Sequence, residues 1–314
     1  MTCNCDLVVL ATKRNFSVLQ IAVPYYKRNI SFNHLWIVTS LENKQAVENL
    51  GNASFFDEDK VFDGLTIDAI QKILYSKIGN KERAGWYFQQ LVKLAWSYRC
   101  EDACYIVIDA DTIPLHPLTF FEEDKYLFTQ KVEYNKPYFD TINTLFNGTL
   151  KREINGSFIA EHMVFDCAYV HEMLEVIMSN ESLQGNLFFE KILNAIETDS
   201  LGKSGFSEFE TYGNYMYKFH NDNVQIRKLR TQREALRILG DRPNKEQLDW
   251  AAKSYDIISI ESGKSPTKNL CVCLTKLNII RHIISMKKIA KIRGKLRTIY
   301  RKINKKQDFI LEDN

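Results

Sequence analysis

Three short apolar runs, separated by stretches of helical character, limit what this chain can fold into more than any other feature. Residues 7–11 read LVVLA, 35–39 read LWIVT and 105–108 read YIVI. None alternates apolar with polar residues, so each must be buried on both faces, as in a parallel sheet covered by helices. The intervening segments fit that arrangement. Residues 16–26 are an expected helix closed near Pro24, 42–50 a short one stopping at Gly51, and 84–98 a long one. The expected fold class is α/β, with a Rossmann-type, mostly parallel sheet and flanking helices. Ligands of such sheets sit beyond the carboxyl ends of the strands, which puts Thr12, Lys13, Ser40 and Asp109 on one rim. Shorter strands are expected at 54–56 and 60–62, and later ones at 126–134, 157–165 and 255–260. Helices are expected at 170–179 and 183–198, with an irregular stretch around Pro137 and Gly148.

The third run leads directly into Asp109-Ala110-Asp111. Alternate positions of an extended chain point the same way, so the two carboxylates converge if extension persists through Ala110. Two hard oxygen donors suit Mg²⁺ or Mn²⁺, which keep positions open for water and substrate phosphates. The plainer alternative is a strand followed by a polar turn in which Asp111 and Thr112 cap what comes next. In the helix before it, Tyr87, Leu91, Leu94, Ala95 and Tyr98 form an apolar stripe, while Trp86, Gln90 and Lys93 share another face. Further on, Ser207-x-x-Glu210 has the spacing of a capping box, which would account for Glu210 as the start of a helix and leave Glu208 without a structural task.

Three segments, GWYFQQLVKL (85–94), YIVIDADTIPLHP (105–117) and FSEFETYGNY (206–215), together resemble a bacterial family of glycosyltransferase-like proteins of unknown function that is associated with surface-polysaccharide genes. The resemblance covers roughly residues 5–262. It implies a GT-A-like fold and transfer of a sugar from a nucleotide-sugar donor, a UDP-sugar foremost. The acceptor would be a saccharide or lipid-linked saccharide, in lipopolysaccharide or capsule synthesis, with Mn²⁺ or Mg²⁺ as cofactor. By that resemblance Asp111 binds the metal, and Asp109 contacts metal and donor. Thr12, Lys13, Gln90 and Lys93 would also meet the donor, with Lys93 offering its charge to the diphosphate. An inverting transfer needs a base for the acceptor hydroxyl; Glu208 is the first candidate and Glu210 the second. Glu208 and His162 are expected on the acceptor side, and His162 and His220 are candidates for a third metal ligand.

A rival from another class is a haloacid-dehalogenase-like phosphohydrolase, with Asp109 as nucleophile and Asp111 as acid/base. Ile113, followed by Pro114, stands where that motif prefers Thr or Val, and the later adjacent acidic pair is not found in its expected place. A non-catalytic transferase-like scaffold is the third possibility.

Charge divides the chain into an expected catalytic domain, 1–262, and a basic, partly amphipathic helical tail, 263–314. Residues 262–307 contain 14 Lys and Arg and no Asp or Glu, although the whole chain carries 42 basic and 39 acidic residues. Within the tail Ile280, Ile283, Ile284, Lys287, Ile289 and Ile292 form a partial stripe flanked by cations, the pattern of a helix lying on an anionic lipid surface. The alternative is a helix packed on the catalytic domain. Nucleic acid is not an expected partner of so acidic a body. The N-terminus lacks the basic start of a signal peptide, and no apolar run has the length of a membrane span. A cytoplasmic location, peripheral on the inner face of the cytoplasmic membrane, is therefore expected. With seven cysteines and no export signal, reduced thiols are expected throughout.

Overall fold

The computed structural model describes residues 5–261, 270–296 and 298. Its centre is a five-stranded sheet in the order β3-β2-β1-β4-β8. The strands are β1 (Cys5–Leu10), β2 (Leu35–Thr39), β3 (Ser54–Asp57), β4 (Cys104–Ile108) and β8 (His162–Asp166). The first four run parallel, and β8 lies antiparallel to β4. The α/β class with a mostly parallel sheet and flanking helices is thus what the chain adopts. Every residue of β1 and β4 is buried, as their unbroken apolar runs require. Strand order reverses direction at β1, since β2 and β3 lie on one side of it and β4 on the other. That reversal opens a crevice at the carboxyl ends of β1 and β4, the usual ligand position in such sheets.

Two small sheets flank the central one. In the first, β5 (Thr112–Pro114) pairs antiparallel with β11 (Ile257–Ser259), which runs parallel to β10 (Thr231–Gln232). In the second, β6 (Phe121–Glu122), β7 (Lys125–Thr129) and β9 (Val224–Arg227) lie side by side. The pairing of β5 with β11 pins the chain just after Asp111, whose carbonyl accepts from the Ile260 amide at 2.7 Å.

Several local expectations need correction. The first helix runs through Pro24 to Asn29, so the proline sits inside it. Residues 58–60 form a 3₁₀ turn rather than leading into a strand. The helix Ile67–Ile78, opened by Thr66 as N-cap and closed by left-handed Gly79, has no counterpart in the sequence reading. The stretch around Pro137 is a helix, Lys136–Leu145, with the proline in its first turn, where a missing N–H costs nothing. The expected strand 157–165 shrinks to β8; Ser157 retains a single bridge to Lys131.

Cys5 and Cys104 stand opposite one another on adjacent strands, 5.5 Å apart at Cα, and are joined by a disulfide. The expectation of reduced thiols is corrected there, because parallel pairing brings together two residues 99 positions apart in sequence.

The described part of the tail folds against the body. Trp250 donates its indole N–H to the Ile284 carbonyl at 3.0 Å, Met286 is buried, and Arg293 reaches Glu234 at 2.9 Å. The helix Asn278–Ile283 stops where Ile284 becomes extended, and helical structure resumes at 286. The expected partial stripe is therefore split: Ile289 packs on the core, whereas Ile283 and Ile292 are exposed. No helix among the described residues is long and apolar enough to cross a membrane.

Candidate active site

The crevice predicted from the strand order carries the Asp-x-Asp motif. A cavity of about 180 Å³ is lined by Leu10 and Asn15 from the β1 side, Trp86, Gln89, Gln90 and Lys93 from the helix Ala84–Ala95, and Asp109, Ala110 and Asp111. The face that the helical period separates from the apolar stripe, Trp86, Gln90 and Lys93, is the one that lines this cavity. Beside it, at the ends of β1 and β2, lies a second cavity of about 380 Å³ lined by residues including Thr12, Lys13, Arg14, Ser40, Asn43 and Glu58. Lys13 and Arg14 are exposed there. Thr12 and Asn15 lock the turn between the two cavities, the Thr12 amide and hydroxyl both donating to the Asn15 side-chain oxygen at 2.8 Å.

Lys93 organises the floor. Its ammonium donates to Asp109 and to Glu208, each at 2.6 Å, and lies 4.5 Å from the centre of the Phe209 ring. Burial by itself would lower the lysine's pKa, but the two carboxylates outweigh burial and hold it above its ordinary value. With both carboxylates engaged, Lys93 is not a free charge for a diphosphate; it shapes the site through Asp109. Glu208, in the first turn of the helix Glu208–Phe219, is 2 % exposed, and burial raises its pKa although Lys93 pulls the other way. It does not line the cavity and meets it through Lys93.

Asp111 is pushed up to about 7, first by burial and then by the nearby Asp109, Glu261 and Glu161, with Arg233 offsetting part of the effect. Behind it lies a charged cluster. Lys131 donates to both Glu161 oxygens at 2.8 and 2.6 Å, and Arg233 reaches Glu133, Glu261 and Glu161 at 2.9, 2.8 and 3.6 Å. Around the motif the carboxylates outnumber the cations, and Asp111 bears the excess. That imbalance fits a divalent cation held by Asp109 and Asp111. No group of three or more metal-ligating side chains occurs among the described residues. Mg²⁺ and Mn²⁺ sites completed by water and substrate phosphates need only one or two protein carboxylates.

Glu161 escaped the sequence reading as a site residue. It is 4 % exposed and holds a positive φ of 59°, rare for a residue with a side chain, while its carbonyl accepts from the Asp109 amide at 2.9 Å. Its place within an apolar run, GSFIAEHMVF, was the only signal. Asn15, Arg14 and Gln89 also went unread, because short polar turns and solvent-like helix faces carry no periodic mark.

Three expected residues lie elsewhere. His162 is buried on β8, its Nε2 3.0 Å from the Thr129 hydroxyl and its ring edge-on to Phe120, and burial drives its pKa well below the usual value. His220 pairs with Glu172 at 3.0 Å and packs on Tyr169. The structure brings neither histidine to Asp111. Glu210 accepts from the Ser157 hydroxyl at 2.5 Å and the Phe158 amide at 3.2 Å, away from the cavity. Only half of the expected capping box forms: Ser207 accepts from the Glu210 amide at 3.3 Å, while the Glu210 carboxylate holds the 157–158 turn.

Residues 11–132 match the model of a family described as a family of unknown function, DUF6492. No curated protein matches the chain. Among solved structures, the chain is similar to mouse xyloside xylosyltransferase 1 at 11 % identity, covering 84 % of this chain and 99 % of that one with a TM-score of 0.44. It is similar to the WbbM bifunctional glycosyltransferase at 13 % identity, 93 % and 52 % coverage and a TM-score of 0.43. It is also similar to the galactosyltransferase LgtC, solved with donor and acceptor sugar analogs, at 9 % identity, 91 % and 99 % coverage and a TM-score of 0.42.

Proposed function

We propose that this chain is a GT-A-type glycosyltransferase that moves a sugar from a nucleotide-sugar donor to a saccharide or lipid-linked acceptor of a surface polysaccharide. The observation that carries the reading is the convergence of Asp109 and Asp111 with Trp86, Gln90 and Asn15 in the crevice where the parallel sheet reverses order, directly beside a second, polar cavity. In this reading the nucleoside would occupy the second cavity, over Thr12, Ser40 and Asn43. Its diphosphate would then extend past Asn15 towards the two aspartates, with Lys13 and Arg14 near the phosphates.

Asp109 and Asp111 would hold Mn²⁺ or Mg²⁺, which when bound supplies Lewis-acid stabilisation of the departing diphosphate. The chain's own residues do the remaining work. Lys93 neutralises Asp109 and fixes its rotamer, leaving one carboxylate oxygen for the ligand, and Glu208 anchors Lys93 from the far side. Glu208 is too deeply buried to meet an acceptor hydroxyl directly, so we assign it a positioning role in place of the expected base. The donor is a UDP-sugar in this reading, and the acceptor approaches from the side of Glu161 and Arg233.

The test is to incubate the protein with Mn²⁺ and a panel of nucleotide sugars and to measure release of free nucleoside diphosphate. Release from one donor, lost in Asp111→Ala, supports the assignment. Release of inorganic phosphate from phosphomonoesters, with no nucleotide sugar consumed, would instead favour the phosphohydrolase.

A further inference from the structure

The tail's outward surface is both apolar and basic. Leu277, Ile279 and Ile283 are 53, 66 and 71 % exposed, and Leu274 is also exposed. Lys276, His282, Lys287 and Lys288 are exposed among and beside them. These apolar side chains are not spare core. The inner face of the same segment is already satisfied by Met286, Ile289 and Ala290, by Arg281 bonded to Glu246 at 2.5 Å, and by the Thr275 hydroxyl on the Ile238 carbonyl at 2.6 Å. Docking on the body therefore selects which residues face outward, and it turns out isoleucine and leucine with lysine.

We infer that this face, built on residues 274–288, seats the protein on an anionic lipid surface. A phosphate backbone would use the lysines but gain nothing from four exposed aliphatic side chains. A second copy of the chain would cover the aliphatics but set two acid-free basic segments against each other, since residues 262–307 contain no Asp or Glu. A bilayer with anionic headgroups accommodates both at once: the aliphatics enter the acyl boundary and the lysines reach the headgroups.

The placement bears on the proposed transfer. Arg293 ties the tail to Glu234, next to Arg233, and Arg233 lines a cavity of about 480 Å³ with Lys131, Lys228 and Thr231. A membrane-seated tail thus holds the acceptor side of the site near the lipid, which suits a lipid-linked saccharide. This last point rests on the transferase reading; membrane binding does not.

The experiment is flotation of the full chain with vesicles of phosphatidylglycerol and phosphatidylcholine, and with phosphatidylcholine alone. The protein is expected to float with the anionic vesicles and to be released by high salt. Ile279→Glu/Ile283→Glu should weaken binding roughly tenfold or more and leave the thermal midpoint unchanged, because both side chains are exposed. Lys287→Gln/Lys288→Gln should weaken binding to anionic vesicles several-fold. Failure to float, equal binding to neutral vesicles, or undiminished binding by the isoleucine variant would overturn the inference. So would a lipid-free dimer that the isoleucine variant dissociates. Nucleoside diphosphate binding, measured on the same samples, reports on the transferase reading separately.

Discussion

Asp111 meets two opposing demands. A carboxylate that ligates a cation must be ionised, yet burial and three neighbouring carboxylates push its pKa to about 7. In the unfolded chain an aspartate titrates at about 3.9. The folded state therefore carries an extra proton between those values, so stability falls as pH rises from about 4 to about 7 and then levels off. Asp111→Asn removes that slope. The metal-free variant should match the parent near pH 4, gain on it through pH 5 and 6, and exceed it by roughly 2 kcal/mol above pH 7, less than the full shift because the site is open to solvent. Urea denaturation at several pH values checks this; parallel pH profiles for parent and variant would show that Asp111 is not strained by its surroundings.

Lys93 supports a second prediction. Lys93→Met leaves buried Glu208 uncompensated and should cost about 3 kcal/mol. Lys93→Met/Glu208→Leu should return most of that loss, since Asp109 is one-third exposed and can be solvated. Neither variant should turn over a donor. If the double variant is no more stable than the single one, the Lys93–Glu208 pair is not the main interaction of that lysine. The Asp-x-Asp pair and the Lys93 face could be read from sequence because each follows a strict local period. The roles of Glu208 and Glu210 could not, because their partners, Lys93 and the 157–158 turn, lie 115 and 53 positions away.

The helix Glu208–Phe219 shows how an element is held in place by a residue that sequence alone would mark as a flaw. Gly213 lies within it, and helix propensity favours alanine there by about 1 kcal/mol. A Cβ at that position, however, would fall 2.5 Å from the fully buried Phe158 ring. Gly213→Ala should therefore destabilise by about 2 kcal/mol despite better propensity, and should lower donor turnover by shifting Glu208. A more stable, fully active variant would show that the helix and the 157–158 turn can move apart freely. The parallel strands β1, β2 and β4 were readable because burial on both faces leaves continuous apolar runs. The helix Lys136–Leu145 was not, because its opening proline reads equally well as a breaker. β9 was not either, because a four-residue edge strand with one buried position leaves no pattern.

At the level of the whole molecule, a body with an excess of acidic residues carries the crevice, and the described part of a basic segment folds back on it. The central sheet and the position of Asp109 and Asp111 at its carboxyl edge followed from the order of apolar runs. How the tail docks did not, because its amphipathic stripe fits packing on the body and packing on lipid alike. The structure divides that stripe between residues packed on the body and residues exposed to solvent. In the proposed reading one nucleotide sugar spans the crevice's two cavities. Titration calorimetry of the purified protein with nucleoside diphosphates, with and without Mn²⁺, tests that claim most directly. The expected result is saturable binding of one nucleoside diphosphate that requires the cation, weakens as pH falls below about 7 as Asp111 takes up its proton, and vanishes in Asp111→Ala. Binding that is indifferent to Mn²⁺ and to Asp111, or no nucleotide binding at all, would contradict it.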